Sequence, residues 1–301
     1  MLIQAVDSYL DLRRASGFQL RVEEGLLRDF AGASAEQSDP HIRSATAIEW
    51  AARAPSARQK DRRLKTVIRF ARHVHAEDDR HEIPPAEVFA APRRRRLPHI
   101  FEPEEVAQVI GEAGRLGPTG SLRPYTYRTL FGLVASCGLR ISEALALQID
   151  DVTSDGLLIR ETKFRKSRLV PPHDSTAQEV QRYLHRRRQV AGDVSHLFVS
   201  LRHQPLAYPT TVSTFLAIVR KLGLRGPPGE PGPRLHDLRH TFAVRSLEGC
   251  PRDEVASHLL ALSTYLGHAK VNDTYWYLQV TPRLMTNIAD ACRTLFEGEV
   301  P

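Results

Sequence analysis

Three short stretches of the 301-residue chain carry residue types that suit one kind of chemistry. Near the C-terminus, Leu266-Gly267-His268 is followed nine positions later by Tyr277. Upstream lies His236-Asp237-Leu238-Arg239-His240, and far upstream Gly138-Leu139-Arg140-Ile141-Ser142-Glu143. Arginines, histidines and a tyrosine recur, and no cluster of carboxylates stands by to hold a metal. That set suits gripping a phosphodiester and attacking it with a phenol oxygen.

Cleaving a phosphodiester without a metal gathers negative charge on the non-bridging oxygens of a phosphorane-like transition state. Two guanidiniums can clamp those oxygens bidentately and stay charged at any working pH. Arg140 and Arg239 are the candidates. The nucleophile must form a covalent ester, and a tyrosine phenol qualifies. Its free pKa is about 10, so it needs help losing its proton. His236 is the candidate base, three residues before Arg239 and so on the same helical face. The leaving 5′ oxygen needs a proton, which Lys163 or Lys166 could give. Each residue alone has an ordinary reading: a helix cap, a core imidazole, a solvated lysine, an aromatic helix face at Tyr275, Trp276 and Tyr277. A zinc pair at His236 and His240 lacks the glutamate of the HExxH motif. The ordered combination carries the signal.

These residues need a helical frame. Apolar periodicity predicts four helices in residues 1–92: Ile3 to Arg14, Val22 to Phe30, Ala45 to Ala54, and one whose buried stripe is Leu64, Val67, Ile68, Ala71 and Val74. The opposite face of the fourth is expected to carry Arg62, Arg63, Arg69 and Arg72, suited to lying along DNA. Residues 93–98, with Arg93, Arg94, Arg95 and Arg96 before Pro98, read as an extended basic linker. Residues 99–301 form the second domain. In it, Pro103-Glu104-Glu105 opens a helix, Thr126 to Ser136 is buried helix, and Ser142 starts another. Residues 156–160 and 168–170 read as two short strands flanking 162–167. Leu284, Ile288, Cys292 and Leu295 mark a last amphipathic helix. The fold class is therefore mainly α, an all-helical first domain plus a mostly helical second one with a small antiparallel sheet.

Composition narrows the partners. Net charge is +7, and residues 53–72 hold eight basic residues against Asp61 alone. Lys163, Arg165, Lys166 and Arg168 form another basic cluster. Such runs favour sequence-independent contact with phosphates. No apolar run approaches a membrane span, and the N-terminus carries no export pattern, so a cytoplasmic, nucleoid-associated protein is expected. Cys137, Cys250 and Cys292 fit free thiols better than a disulfide framework.

The segments Gly138–Leu145, Thr162–Phe164 before Arg168–Pro171, His236–Ala243, and Leu266–His268 through Thr274–Tyr277 together resemble the tyrosine recombinase (phage integrase) family. The likeness covers the second domain. The helical first domain is similar, more loosely, to that family's core-binding domain. The resemblance implies Arg140 and Arg239 as the phosphate clamp, Lys163 as general acid, and His236 as the first histidine of the HxxR box. His268 would bond the phosphate, and Tyr277 rather than Tyr275 would be the nucleophile. Glu143 and His240 would support. It further implies double-stranded DNA sites as substrate, two domains clamping the duplex, a 3′-phosphotyrosine and a Holliday junction. A homotetramer on DNA, with related recombinases as further candidate partners, completes that picture. Neither ATP nor a metal nor another cofactor is implied. A mobile-element integrase fits the surroundings of Tyr277. The rival readings are a topoisomerase-like nuclease-ligase and a catalytically degenerate, architectural DNA-binding protein.

Overall fold

The computed structural model describes residues 2–89, 96–160, 167–192, 194–251, 254–268 and 270–279. The chain divides into two compact units, Met1–Arg95 and Arg96–Pro301. Among the described residues the structure is mainly helical, with one two-stranded antiparallel sheet. No described helix is long and apolar enough to cross a membrane.

The first unit holds α1 (Leu2–Ala15), α2 (Arg21–Glu36), α3 (Ser44–Ala52) and α4 (Ala57–His75). Residues three and four apart on each helix turn inward, so Val6, Leu10, Leu27, Phe30, Trp50 and Phe70 meet in one core. Ser56 starts α4, its Oγ accepting the Gln59 amide at 3.3 Å. The buried stripe of α4 is as expected, and Arg62, Arg69 and Arg72 stand exposed. Arg63 does not. It lies 5.0 Å over the Trp50 ring, donates to the Trp50 carbonyl at 3.4 Å, and is half-buried near Asp29. The reason is angular: at about 100° per residue, position 63 leaves the stripe that 62, 69 and 72 share.

Ligand-type atoms of His41, Asp78 and His81 also gather in this unit, within 4.8 Å of one another. His81 Nδ1 accepts the Ile42 amide at 3.0 Å, so the proton of the neutral ring sits on Nε2. Both Asp78 oxygens accept from Arg80. These lone pairs serve internal hydrogen bonds, which speaks for a structural cluster.

The second unit runs α5 (Pro103–Ala113), α6 (Arg123–Cys137), α7 (Ile141–Ala146), β1 (Leu157–Ile159), β2 (Arg168–Val170), α8 (Asp174–Ala191), α9 (Tyr208–Lys221), α10 (Leu235–Glu248), α11 (Val255–Leu266) and α12 (Asn272–Gln279). In the sheet, Leu157 pairs with Val170 and Ile159 with Arg168. Buried α6 packs against α5, α8 and α10, which surround it. Helices α8 and α9 had no counterpart in the sequence reading. The charged run at 185–188 hides an anchor there: Arg187 is fully buried, donating to the carbonyls of Gly192 at 3.0 Å, His196 at 2.8 Å and Val194. Cys137 is buried and Cys250 partly exposed. Cys292 and the helix expected from Leu284 onward lie outside the described residues, as do Arg93, Arg94 and Arg95. Arg96 begins the second unit and donates to the Gly232 carbonyl at 3.0 Å.

Two glycines end helices where the site begins. Gly138 caps α6 at φ +58°, and a Cβ there would sit 2.4 Å from the Phe242 ring. Gly267 caps α11 at φ +66°, where a Cβ would meet the Arg168 guanidinium at 2.7 Å. Left-handed backbone and close approach both demand the missing side chain.

Candidate active site

Helix ends aim the arginines. Arg140 precedes the first turn of α7, and Glu143 turns back so that its Oε2 accepts the Arg140 amide at 3.0 Å. The same carboxylate's Oε1 accepts from Arg140 Nη1 at 2.7 Å. Arg140 Nη2 donates to the Gly267 carbonyl at 3.0 Å. Arg239, on α10, is buried and donates to the Gly138 carbonyl at 2.7 Å and the Leu266 carbonyl at 2.8 Å. The carbonyls freed by the two glycine caps therefore hold both guanidiniums.

Arg168 is the third cation. It donates to both Glu143 oxygens, at 3.1 and 2.8 Å, and to the Tyr265 carbonyl at 2.8 Å. Burial alone would raise the Glu143 carboxyl. The hydrogen bond and charge of Arg168, then the hydrogen bonds of Arg140, outweigh it and hold the pKa down to about 2. Three guanidiniums against one buried carboxylate leave positive charge over, as an anion pocket requires. Burial, then the repulsion of Arg140, draws Arg239 down to about 10, still charged at neutral pH.

The phenol sits among these groups. Tyr277 on α12 is buried, its hydroxyl 3.2 Å from His240 Nδ1. Its ring lies nearly parallel to His268, centroids 6.1 Å apart. Burial raises its pKa, opposed by the charge and hydrogen bond of Arg239 and the charge of Arg140. Tyr275, two residues earlier, points outward and is 51% exposed. A helical turn of 3.6 residues puts 275 and 277 on opposite sides. His268 Nε2 lies 3.0 Å from Arg239 Nη2, and its Nδ1 lies 2.7 Å from Thr274 Oγ1.

The structure thus brings together Arg140, Glu143, Arg239, His240, His268 and Tyr277. His236 lies exposed beside them, its ring edge-on to His240 at 4.6 Å. The phenol's hydrogen-bonding partner is His240, where the sequence reading had assigned that role to His236. One further turn along α10 carries residue 240 deeper toward α12. Crowding by surrounding protein lowers His236, with Arg239 adding to it. Burial, then His236, takes His240 to about 3; burial, then Arg239, takes His268 to about 4. All three rings are neutral at pH 7. Lys163, Arg165 and Lys166 lie outside the described residues. Arg168, read in the sequence only as part of a basic cluster, binds Glu143 instead, and Thr274, which the sequence reading did not single out, meets His268. Antiparallel pairing with Ile159 was the available clue that residue 168 shares a sheet face with an inward side chain.

A buried phenol stands beside a guanidinium pair, carried on helix ends of a mainly α fold, an arrangement able to hold and attack a phosphodiester. Residues 100–283 match the model of the phage integrase family. The chain is 41% identical to putative integrase/recombinase y4rB of Sinorhizobium fredii, over 94% of each chain. It is 31% identical to tyrosine recombinase XerD of Corynebacterium glutamicum, over 72% of this chain and 66% of that one. Its fold is similar to that of the XerH site-specific recombinase bound to a palindromic difH substrate, with a TM-score of 0.66 at 19% identity, covering 98% of this chain and 84% of that one. The Tn1549 transposon integrase in complex with transposon right-end DNA gives a TM-score of 0.64 at 16% identity, covering 95% and 98%. The chain belongs to the phage integrase family, the tyrosine recombinases of site-specific DNA recombination.

Proposed function

We propose that this chain cleaves and rejoins DNA strands at specific sites, with Tyr277 as the nucleophile. The observation that carries the reading is the Tyr277 hydroxyl lodged against His240 and Arg239 within a cationic pocket. Arg140 and Arg239 clamp the non-bridging oxygens of the scissile phosphate, and His268 adds a hydrogen bond to them. The phenol gives its proton to His240 as its oxygen bonds to phosphorus. The bond from phosphorus to the 5′ oxygen breaks, and Lys163 gives that oxygen a proton. A 3′-phosphotyrosine and a free 5′ hydroxyl result. The hydroxyl of a partner strand reverses the step, so the energy of the original diester stays in the protein–DNA ester. In the wider reading, four protomers exchange strands through a Holliday junction, in the service of a mobile element. The helical first unit contacts duplex phosphates through Arg62, Arg69 and Arg72, with Arg93–Arg96 and Arg165 adding charge.

The test is a nicked suicide duplex drawn from DNA flanking the coding region, incubated with protein in EDTA. An SDS-resistant protein–DNA adduct is expected, lost in Tyr277→Phe and kept in Tyr275→Phe. Binding without any adduct would instead favour the architectural reading.

A further inference from the structure

His268 meets two hydrogen-bonding partners of different kinds. Arg239 can only donate, so the Nε2 it faces at 3.0 Å must carry a bare lone pair. The proton of the neutral ring is then on Nδ1, and the atom 2.7 Å from it is Thr274 Oγ1. Thr274 is fully buried. It lies on α12, one helical turn before Tyr277, which packs among residues of α10 and α11.

We infer that Thr274 is a positioning residue whose hydroxyl oxygen accepts the His268 Nδ1–H, selecting the tautomer and ring orientation that present Nε2 to the phosphate pocket. The inference rests on the strand-cleavage reading above for its consequence, though not for its geometry. With Nδ1–H anchored, Nε2 is the ring nitrogen that meets the pocket. In the free protein it accepts from Arg239. When a phosphodiester draws the guanidinium away, Nε2 can take one proton from solvent and donate it as a hydrogen bond to a phosphate oxygen. Nδ1–H keeps its acceptor throughout. Remove the hydroxyl, and a buried Nδ1–H loses that acceptor, so the Nε2–H tautomer gains and turns a donor toward the donors of Arg239. Because Thr274 and Tyr277 share α12, the readiness of His268 depends on the nucleophile's own helix being seated.

The experiment uses full-length protein labelled with 15N-histidine. Long-range 15N–1H correlation distinguishes Nδ1–H from Nε2–H, and His268→Gln identifies the His268 signals. Wild type is expected to show His268 protonated at Nδ1. Thr274→Val keeps the shape without the hydroxyl and should shift His268 toward Nε2–H, while Thr274→Ser should keep the wild-type pattern. Nε2–H in the wild type overturns the proposal whether or not the valine variant folds, and so does an unchanged tautomer in folded Thr274→Val. On the suicide duplex, Thr274→Val should slow adduct formation by about 10–100-fold, as removing the partner on a histidine's other ring nitrogen does in metal sites, and Thr274→Ser should recover it. Serine as slow as valine would also overturn it. Failure of the wild type to form any adduct would strike the strand-cleavage reading and leave the spectra untouched, so the two failures are distinct.

Discussion

Glu143 shows how much one side chain can organise. Its two oxygens take hydrogen bonds from the Arg140 backbone and side chain and from both ends of Arg168. Glu143→Gln keeps the shape and removes the charge that three guanidiniums share. Breaking a buried charge cluster from one side leaves its partners uncompensated, at about 3–5 kcal/mol. Arg140 is partly exposed and can turn to water, so the loss should sit at the low end, about 3 kcal/mol in urea unfolding. Adduct formation should fall as well, because the Arg140 and Arg168 guanidiniums lose their common anchor. A variant as stable as wild type would show that the carboxylate is not what holds the three cations together.

Helix α4 separates two uses of arginine that look alike in sequence. Arg69 and Arg72 stand exposed, whereas Arg63 lies on the Trp50 ring. Arg69→Ala should leave stability unchanged and flatten the dependence of duplex DNA binding on salt by about one unit in the log–log slope, one phosphate contact's worth. Arg63→Ala should do the reverse, lowering stability by about 1 kcal/mol through the lost cation–π contact and leaving the slope alone. Denaturant titration and fluorescence anisotropy at several salt concentrations measure the two effects. If both variants behave alike, the packing of Arg63 does not distinguish it.

For the folded chain taken together, imidazoles held neutral by the surrounding protein set the response to acid. His81, His240 and His268 are all held below the ordinary value, burial being the largest cause for each, and the exposed His236 is lowered by the protein crowded around it and by Arg239. A ring kept neutral when folded binds fewer protons than the unfolded chain once pH drops below about 6.5. Their contribution is therefore complete above that pH and is lost as pH falls toward the folded values, about 4 for His268 and about 3 for His240. The thermal midpoint should begin to fall near pH 6.5, well above the range where Glu143, held at about 2, takes part. A midpoint flat between about pH 7 and 5 would refute this account.

The helical class, the four helices of the first unit, the strand pair and the motif residues were legible in the chain itself. Apolar spacing of 3.6 or 2 records which face each element buries, and Gly138 and Gly267 mark where helices must stop. What the linear order could not express is which groups meet once helices from distant segments pack. Arg187 reads as one of several charged residues and is buried; Arg63 reads as exposed and is stacked on an indole. His236 and His240 are both plausible partners for a phenol until α12 docks against α10 and gives the contact to His240. Arg168 reads as one member of a basic cluster and Thr274 has no chemical signature of its own; their partners Glu143 and His268 are brought beside them by folding. Residue type and local period are properties of the chain, but hydrogen-bond partners 25 to 127 positions apart are decided by packing, because only burial excludes the water that would otherwise serve each group equally well.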